Sequence, residues 1–476
     1  MPLIGLCDCN NFFVSCERLF RPDLKDRPVI VLSSNDGCVI SRSNEAKALG
    51  IPMGEPFFKV EGIVKAYRVQ VFSTNFPLYD DISKRVHAVI RAHAPETEDY
   101  SVDESFFSLD IAALRSPETY ARTLGETIRR WVGVPVSIGL APTKTLAKLA
   151  AEYAKKHAET GGVHRLEPGP ELDALLERTP VGDVWGVGRR YADFLNRCNT
   201  GNARKLRDKP DDWLRKHLTI RGLQTGWELR GLSCIPIRTT DPPQKSIQVS
   251  RSFGAPTTMI EPIREAVTTF VSRGAEKMRA QGMRARVLHV YITTSRFHPP
   301  VTCPVGRRTF EAPASYTPTL VTAALDVLDE IFVRGEWYVK AGIGLSEFSE
   351  EGQRQLFLPG ASLDPQEDDR RARYMEAVDR INRVLGQDAI HPAAMPPRGK
   401  ESGWGPRRDH DDLPRKPLSV VEHFYIPEDV RPRLVTRPVV SPVNAFRLQC
   451  PEEAFHRRIV PAVPFPAHRT DDPVSP

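Results

Sequence analysis

"YSVDESFF", residues 100–107, sets Asp103 beside Glu104 between apolar neighbours. Acidic residues are poor strand formers and adjacent like charges repel, so the pair needs a reason. A surface acidic turn is the ordinary one. The surrounding sequence offers a second. The region around "DYSVDESFFSLD" reads as strand–turn–strand, and the opening residues 1–8, "MPLIGLCD", read as a strand ending in Asp8. A turn that brings the pair near Asp8 gathers three carboxylates around one point. Such a group repels itself unless divalent cations neutralise it. Hard cations such as Mg²⁺ take oxygen ligands and share them with substrate phosphates. Two of them about 3.5–4 Å apart can activate an attacking hydroxyl and stabilise a leaving pyrophosphate.

The rest of the chain bounds this reading. With 476 residues it exceeds one ordinary core, so two to four domains are expected. Hydrophobic residues make up 40% and charged residues 26%, the balance of a soluble globular protein. No apolar run reaches membrane-spanning length and no signal-peptide pattern opens the chain. The eight cysteines (7, 9, 16, 38, 198, 234, 303 and 450) are scattered without a CxxC pair, which fits a reduced cytoplasm rather than a disulfide scaffold or zinc site. The net charge of +6 hints at an anionic partner, and its distribution says more. Residues 181–235 hold 11 Lys/Arg against 6 Asp/Glu, and residues 244–310 hold 11 against 3. A β-sheet face with that bias suits a phosphate backbone.

Along the chain, "NNFFVSCERLF" (10–20) reads as a helix with Phe12, Cys16, Leu19 and Phe20 near one face. "RPVIVLSSNDGCVIS" reads as a hairpin, and "RSNEAKALG" as a short helix closed by Gly50. A longer helix spans about 80–94. "VPVSIGLAPTKTLAKLAAEYAKK" passes from strand to helix, with Leu146, Leu149, Ala150 and Tyr153 toward a core. Lys144, Lys148 and Lys155 then share one helix face, which is either solvated or a polyanion site. Residues 166–232 read as a small helical domain centred on "PVGDVWGVGRR". Its Gly186-Val187-Gly188 turn is either a plain helix connection or a phosphate-binding turn with Arg189 and Arg190 behind it. After "TTDPPQKS" come alternating strands and helices: "KSIQVSRSFG" as a strand, a helix at 261–281, "RARVLHVYITTSRF" as a strand, a helix at 317–333 and a strand at 337–348. Of 42 prolines, 16 fall in the last 86 residues, so the end of the chain reads as largely disordered.

With these stretches in hand the sequence resembles the Y-family translesion DNA polymerases, and within them the UmuC-like branch that supplies the catalytic subunit of bacterial DNA polymerase V. "LCDCNNFFVSCERLFRPDL", "RPVIVLSSNDGCVISRSNEAKALGIPMGEPFFK", "YSVDESF", "SIGLAPTKTLAKLAAEYAKK" and "QVSRSFG" carry the resemblance, from residue 3 to about 350. It implies an α+β multidomain right-hand polymerase. The palm, with a ferredoxin-like βαββαβ core, takes residues 1–20 and 77–165, and the small fingers take 21–76. A helical thumb with a helix–hairpin–helix takes 166–235, a linker 236–243 and an α/β little finger 244–350. A clamp-binding linker follows at 351–362, a partial UmuC-like C-terminal module at 363–416, and a disordered tail at 417–476.

The resemblance also implies roles. Asp8, Asp103 and Glu104 match the catalytic, metal-binding carboxylates for two Mg²⁺ ions, and the backbone carbonyl of Cys9 matches a further metal contact. Phe13, which periodicity alone assigns to core packing, matches a steric gate against a ribose 2′-hydroxyl. Ser41, Lys47 and Lys155 match positions that hold the incoming triphosphate, with Arg42 adding charge; Asn44 departs from a tyrosine found there in some branches. Gly186, Gly188, Arg189, Arg190 and Arg251 are expected on DNA. Gln353, Leu356 and Phe357, in "EGQRQLFLPG", match a sliding-clamp-binding peptide. The implied partners are primer-template DNA, dNTPs, a UmuD′-like subunit, the sliding clamp and a RecA filament, in the bacterial cytoplasm at the nucleoid. The expected activity is error-prone, SOS-associated DNA synthesis past lesions. The competing reading is a catalytically inactive DNA- and clamp-binding accessory subunit.

Overall fold

The computed structural model describes residues 3–110, 116–240, 243–295, 301–350, 365–396 and 404–405. They fall into two compact units, one within residues 1–31 and 38–241, the other within 32–37 and 242–410.

The first unit opens with β1 (Leu3–Cys9), buried at every position except Asp8. A strand apolar on both faces must be covered on both. After it come α1 (Phe12–Phe20), β2 (Val29–Leu32), β3 (Val39–Arg42), α2 (Asn44–Ala48), α3 (Phe57–Ala66) and β4 (Gln70–Ser73). The chain continues through α4 (Phe76–His93), β5 (Thr97–Asp99), β6 (Glu104–Leu109), α5 (Pro117–Trp131), β7 (Val136–Ala141), α6 (Lys144–Lys156) and β8 (Val163–Arg165). The central sheet has the order β5–β6–β1–β7–β8. β1 is antiparallel to both β6 and β7, and only β8 runs parallel to its neighbour. β1, α4, β5, β6, α5 and β7 thus follow one another as a βαββαβ unit with β1 at the centre.

Each face of that sheet has its own core. Leu3, Cys7, Phe107, Ile138 and Leu140 pack with α1, α4 and α5 through Phe12, Tyr79, Val86 and Leu124. Ile4, Leu6, Phe106 and Ala141 pack with α6 and the helices that follow, through Leu146, Ala150 and Leu176. Gly139 explains how close α6 lies: a Cβ there would sit 2.1 Å from the Ala147 carbonyl oxygen. A second, three-stranded sheet has the order β3–β2–β4. Ser43 caps α2, its Oγ accepting from Ala46 N–H, and also accepts from Val29 N–H, which ties the helix start to β2.

The unit ends in four helices: α7 (Pro170–Arg178), α8 (Arg189–Arg197), α9 (Ala203–Arg207) and α10 (Asp211–Leu229). Gly186 adopts φ +90°, a left-handed conformation that suits glycine, just before α8. α10 is broken at Thr219, whose φ of 65° is non-helical.

The second unit holds β9 (Ser246–Thr257), α11 (Ile260–Arg279), β10 (Met283–Thr294), β11 (Val305–Ala314), α12 (Thr317–Ile331), β12 (Tyr338–Glu350) and α13 (Pro365–Leu385). Its antiparallel sheet has the order β11–β10–β12–β9. One face is covered by α11 and α12 through Val267, Phe270, Leu320 and Val327. α13 is fastened to this body by Arg279–Asp379 and Arg284–Asp368 ion pairs at 2.7 Å. Trp404 is buried with its ring 5.2 Å from Phe270.

Several elements depart from the sequence reading. The sequence pattern does not mark β11, because "VGRRTFEAPA" has few apolar residues, no apolar alternation and a proline; an edge strand tolerates all three. β4 and β8, of four and three residues, were too short to show a period. α4 begins at Phe76 rather than about 80, because Asn75 caps it by accepting from Leu78 N–H and Pro77 fits its first turn. The clamp-peptide residues Gln353, Leu356 and Phe357 and the tail 417–476 lie outside the described residues.

Candidate active site

The sheet itself assembles the acidic residues. Asp8 near the end of β1 pairs directly with Glu104 at the start of β6, and Cys9 N–H donates to the Asp103 carbonyl oxygen at 2.9 Å. The turn before β6 is shaped by Ser101. Its hydroxyl donates to Asp103 Oδ1 (2.8 Å) and accepts from the N–H groups of Glu104 (3.0 Å) and Asp103 (3.3 Å). A Ser hydroxyl bonding the backbone two residues on commonly builds such a turn, so "SVDE" carries a local signal for this role that the acidic pair alone does not.

Three of the four lysines of α6 face carboxylates of the sheet, two of them the site acids. Lys155 Nζ lies 2.7 Å from Asp8 Oδ1. Lys148 Nζ donates to both Glu104 oxygens, at 2.7 and 3.0 Å. Lys144, only 1% exposed, pairs with Glu98, which also accepts from Arg238 N–H at 2.7 Å. The lysine stripe is therefore neither a solvated face nor, for Lys144, an open polyanion site. Each ammonium is committed to a carboxylate of the neighbouring sheet. Helix periodicity showed the stripe but not what stood opposite it.

Burial pushes the Asp8 carboxyl up to about 6; Lys155 works against this, and Glu104 and Asp103 add to it. Burial opposes the charge on Lys155, but Asp8 outweighs it and holds the ammonium above its usual range. Lys47 is pushed down by partial burial and by the positive charges of Lys155 and Arg42. The cations expected at a triphosphate thus feel one another and Asp8 in a common space. Lys47 Nζ donates to Asn11 Oδ1 (2.7 Å) and Asn44 Oδ1 (3.3 Å), so Asn44 supports a lysine here. Arg42 donates to the Ile51 carbonyl oxygen. Ser41 is buried, and its Oγ accepts from Val14 N–H at 3.4 Å, fixing α1 against β3.

Phe13 projects from α1 onto Tyr79, with ring centroids 4.4 Å apart and planes 16° from parallel, and meets the edge of Phe76. Tyr79 is itself locked, its hydroxyl donating to the buried Glu17 at 2.6 Å. Gly186, Gly188, Arg189 and Arg190 lie exposed at the entry to α8, away from the carboxylate cluster in sequence and element. Arg251 is exposed on β9 of the second unit.

Among the described residues, no three acidic, histidine or cysteine side chains converge as a ready-made metal cluster. Asp8, Asp103 and Glu104 turn instead to Lys155, Ser101 and Lys148. Their chemistry still suits a divalent cation. All three are hard oxygen donors, and Asp8 carries a charge that burial, and to a lesser extent its acidic neighbours, make costly.

Comparison with known proteins places this geometry. The chain is 20% identical to a Y-family DNA polymerase chimera of Dbh and Dpo4, with a TM-score of 0.58 over 72% of this chain and 98% of that one. The fold is therefore that of the Y-family polymerases. The chain is 37% identical to protein UmuC of Salmonella typhimurium strain LT2 over 416 residues, covering 86% of this chain and 96% of that protein. It is 28% identical to DNA polymerase IV of Moorella thermoacetica over 405 residues, covering 82% and 95%. The impB/mucB/samB family model matches residues 7–152, and the model of that family's C-terminal domain matches 244–358. The chain belongs to the impB/mucB/samB family.

Proposed function

We propose that the chain is a DNA-directed DNA polymerase that carries out translesion synthesis. The observation that carries this reading is the Asp8–Glu104 register pair, with Asp103 in the adjoining turn and Lys155 facing Asp8. Those residues lie within or beside the segment that matches the family model. Family membership and likeness to UmuC and to a DNA polymerase IV support the activity.

In the reaction the 3′-hydroxyl oxygen of a primer attacks the α-phosphorus of a deoxynucleoside triphosphate. A new P–O bond forms, the α–β bridging P–O bond breaks, the hydroxyl proton passes to solvent, and pyrophosphate leaves. Asp8, Asp103, Glu104 and the backbone carbonyl of Cys9 would hold two Mg²⁺ ions. When bound, these supply Lewis-acid stabilisation of the attacking and leaving oxygens. Lys155, Lys47 and Arg42 supply positive charge toward the triphosphate, and Ser41 holds the floor beneath it. Phe13, backed by Tyr79, presents a fixed ring against the sugar and excludes a 2′-hydroxyl by overlap.

On this reading the βαββαβ body is the palm, residues 21–76 the fingers, α7–α10 the thumb and the second unit the little finger. Gly186, Gly188, Arg189 and Arg190 hold DNA backbone through N–H groups and charge, and Arg251 does so from β9. Gln353, Leu356 and Phe357 bind the sliding clamp. A UmuD′-like subunit and a RecA filament complete the partners of a cytoplasmic, nucleoid-associated enzyme of the SOS response.

Primer extension tests the reading directly. Wild type and Asp103→Ala are compared on a primed template carrying an abasic site, with Mg²⁺ and four dNTPs, with and without clamp and a UmuD′-like partner. Extension that disappears in the variant is the expected result. Absence of extension by both proteins on undamaged template under assisted conditions, with equal DNA binding, would establish an accessory subunit instead.

A further inference from the structure

Glu104 is held differently from the other two acids of the site, Asp8 and Asp103. Lys148 donates to both of its carboxylate oxygens, at 2.7 and 3.0 Å, so it competes at both atoms that a cation would use. The same ammonium lies 5.1 Å from the centre of the Tyr100 ring. That ring is held in place: Trp185 Nε1–H donates to its hydroxyl at 2.9 Å, and Phe106 packs edge-on at 5.4 Å. Lys148 therefore has two seats, a carboxylate and an aromatic face, and the second does not depend on the first.

We propose that Lys148 is an exchangeable counter-ion for Glu104. Before a divalent cation arrives it neutralises the carboxylate and keeps the β1–β6 junction from repelling itself. When the cation takes Glu104, Lys148 gives up the carboxylate and stays on the Tyr100 ring. Lys148 is then a positioning residue that sets how tightly the metal is held, and Tyr100 is the fixed perch that makes the exchange possible. The neighbouring lysines differ in what they face. Lys144 also has a carboxylate and a ring, Glu98 and Phe106 at 4.9 Å, but it is buried and Glu98 is not one of the three site acids. Lys155 faces Asp8 and is coupled to the cations beside it. The inference rests on the proposed metal-binding role of Glu104.

The test measures metal binding in full-length protein without DNA, by calorimetric titration with Mg²⁺ and by thermal unfolding at increasing Mg²⁺. Removing a competing cation should strengthen binding. Lys148→Met is expected to unfold at a lower temperature than wild type without metal, and to bind Mg²⁺ about two- to fivefold more tightly, the scale of one partly exposed ion pair. Lys148→Arg, which keeps the charge, should stay near wild type. Tyr100→Leu removes the second seat, leaves Lys148 on Glu104 and should bind Mg²⁺ several-fold more weakly. This second variant tests the idea from the opposite direction if Lys148→Met does not fold. Unchanged or weaker Mg²⁺ binding in Lys148→Met overturns the counter-ion role, and unchanged binding in Tyr100→Leu overturns the perch. Glu104→Gln separates the two levels. If wild type shows no saturable Mg²⁺ response that this change removes, the metal role of Glu104 fails and the exchange fails with it.

Discussion

Lys155 Nζ lies 2.7 Å from Asp8 Oδ1, joining the fourth turn of α6 to the end of the central strand. The contact depends on Gly139, which lets α6 settle against β7. Removing the ammonium leaves a mostly buried carboxylate whose charge burial and acidic neighbours already disfavour. Lys155→Ala is expected to raise the apparent KM for the incoming nucleotide by about tenfold or more, the worth of one charge-assisted contact to phosphate. Single-nucleotide insertion kinetics on an undamaged template measure this, and a change confined to kcat would argue against a triphosphate contact.

The raised Asp8 carboxyl predicts an acid limb in the pH profile of extension. With its proton affinity raised to about 6, the group is largely ionised at pH 7 and largely protonated at pH 5. A protonated carboxyl is a poor metal ligand, so protons and the divalent cation compete. The Mg²⁺ concentration for half-maximal extension should rise by about fivefold between pH 6 and pH 5 and change little between pH 7.5 and pH 8.5. Lys155→Ala, which removes the group that lowers this proton affinity, should move the limb to higher pH. A limb that does not move would separate the titration from Asp8.

Glu228 is a wholly buried carboxylate at the junction of three segments. It accepts from Thr145 N–H at the start of α6 (3.0 Å), and from the N–H groups of Cys234 (2.9 Å) and Ile235 (3.1 Å) after α10. Its own carbonyl oxygen accepts from Thr143 Oγ1 at 2.9 Å. Negative charge is favoured at a helix N-terminus, and three backbone donors would lose their acceptor without it. Glu228→Ala should destabilise the first unit by about 3–5 kcal/mol, with Glu228→Gln closer to wild type because one amide oxygen remains. Thermal or urea unfolding of the two variants measures the difference. Equal stability would mean that water or local rearrangement replaces the carboxylate.

The parts of this arrangement legible in sequence were those with a local period or a local oddity. β1, α1, the β5–β6 hairpin and α6 each announced themselves through a run, a helical face or a misplaced acidic pair. The lysine stripe was visible too, yet its meaning was not, because helix periodicity says which residues share a face and nothing about the strand facing them. The pairing of Lys144 with Glu98 spans 46 residues, and that of Lys155 with Asp8 spans 147. Only the sheet order fixes such contacts. The same holds for Glu228, which looks in sequence like any helix-end acid. β11 failed for the opposite reason: an edge strand needs little apolar surface, so it left little pattern to read.

Phe13 supplies the sharpest test of the nucleotide site. Its ring is stacked on Tyr79 at 4.4 Å, and Tyr79 is anchored to the buried Glu17, so the ring has little freedom to yield to a larger sugar. Steric exclusion of this kind needs stiffness as well as bulk. Phe13→Ala should therefore admit ribonucleotides, narrowing the preference for deoxynucleotides by at least about tenfold. Tyr79→Ala, which leaves Phe13 in place but removes its backing, should narrow it less and in the same direction. Parallel insertion of dATP and ATP opposite template thymine gives both ratios. If Phe13→Ala keeps wild-type discrimination while extending primers normally, the ring is a packing residue of α1 and the sugar is read elsewhere.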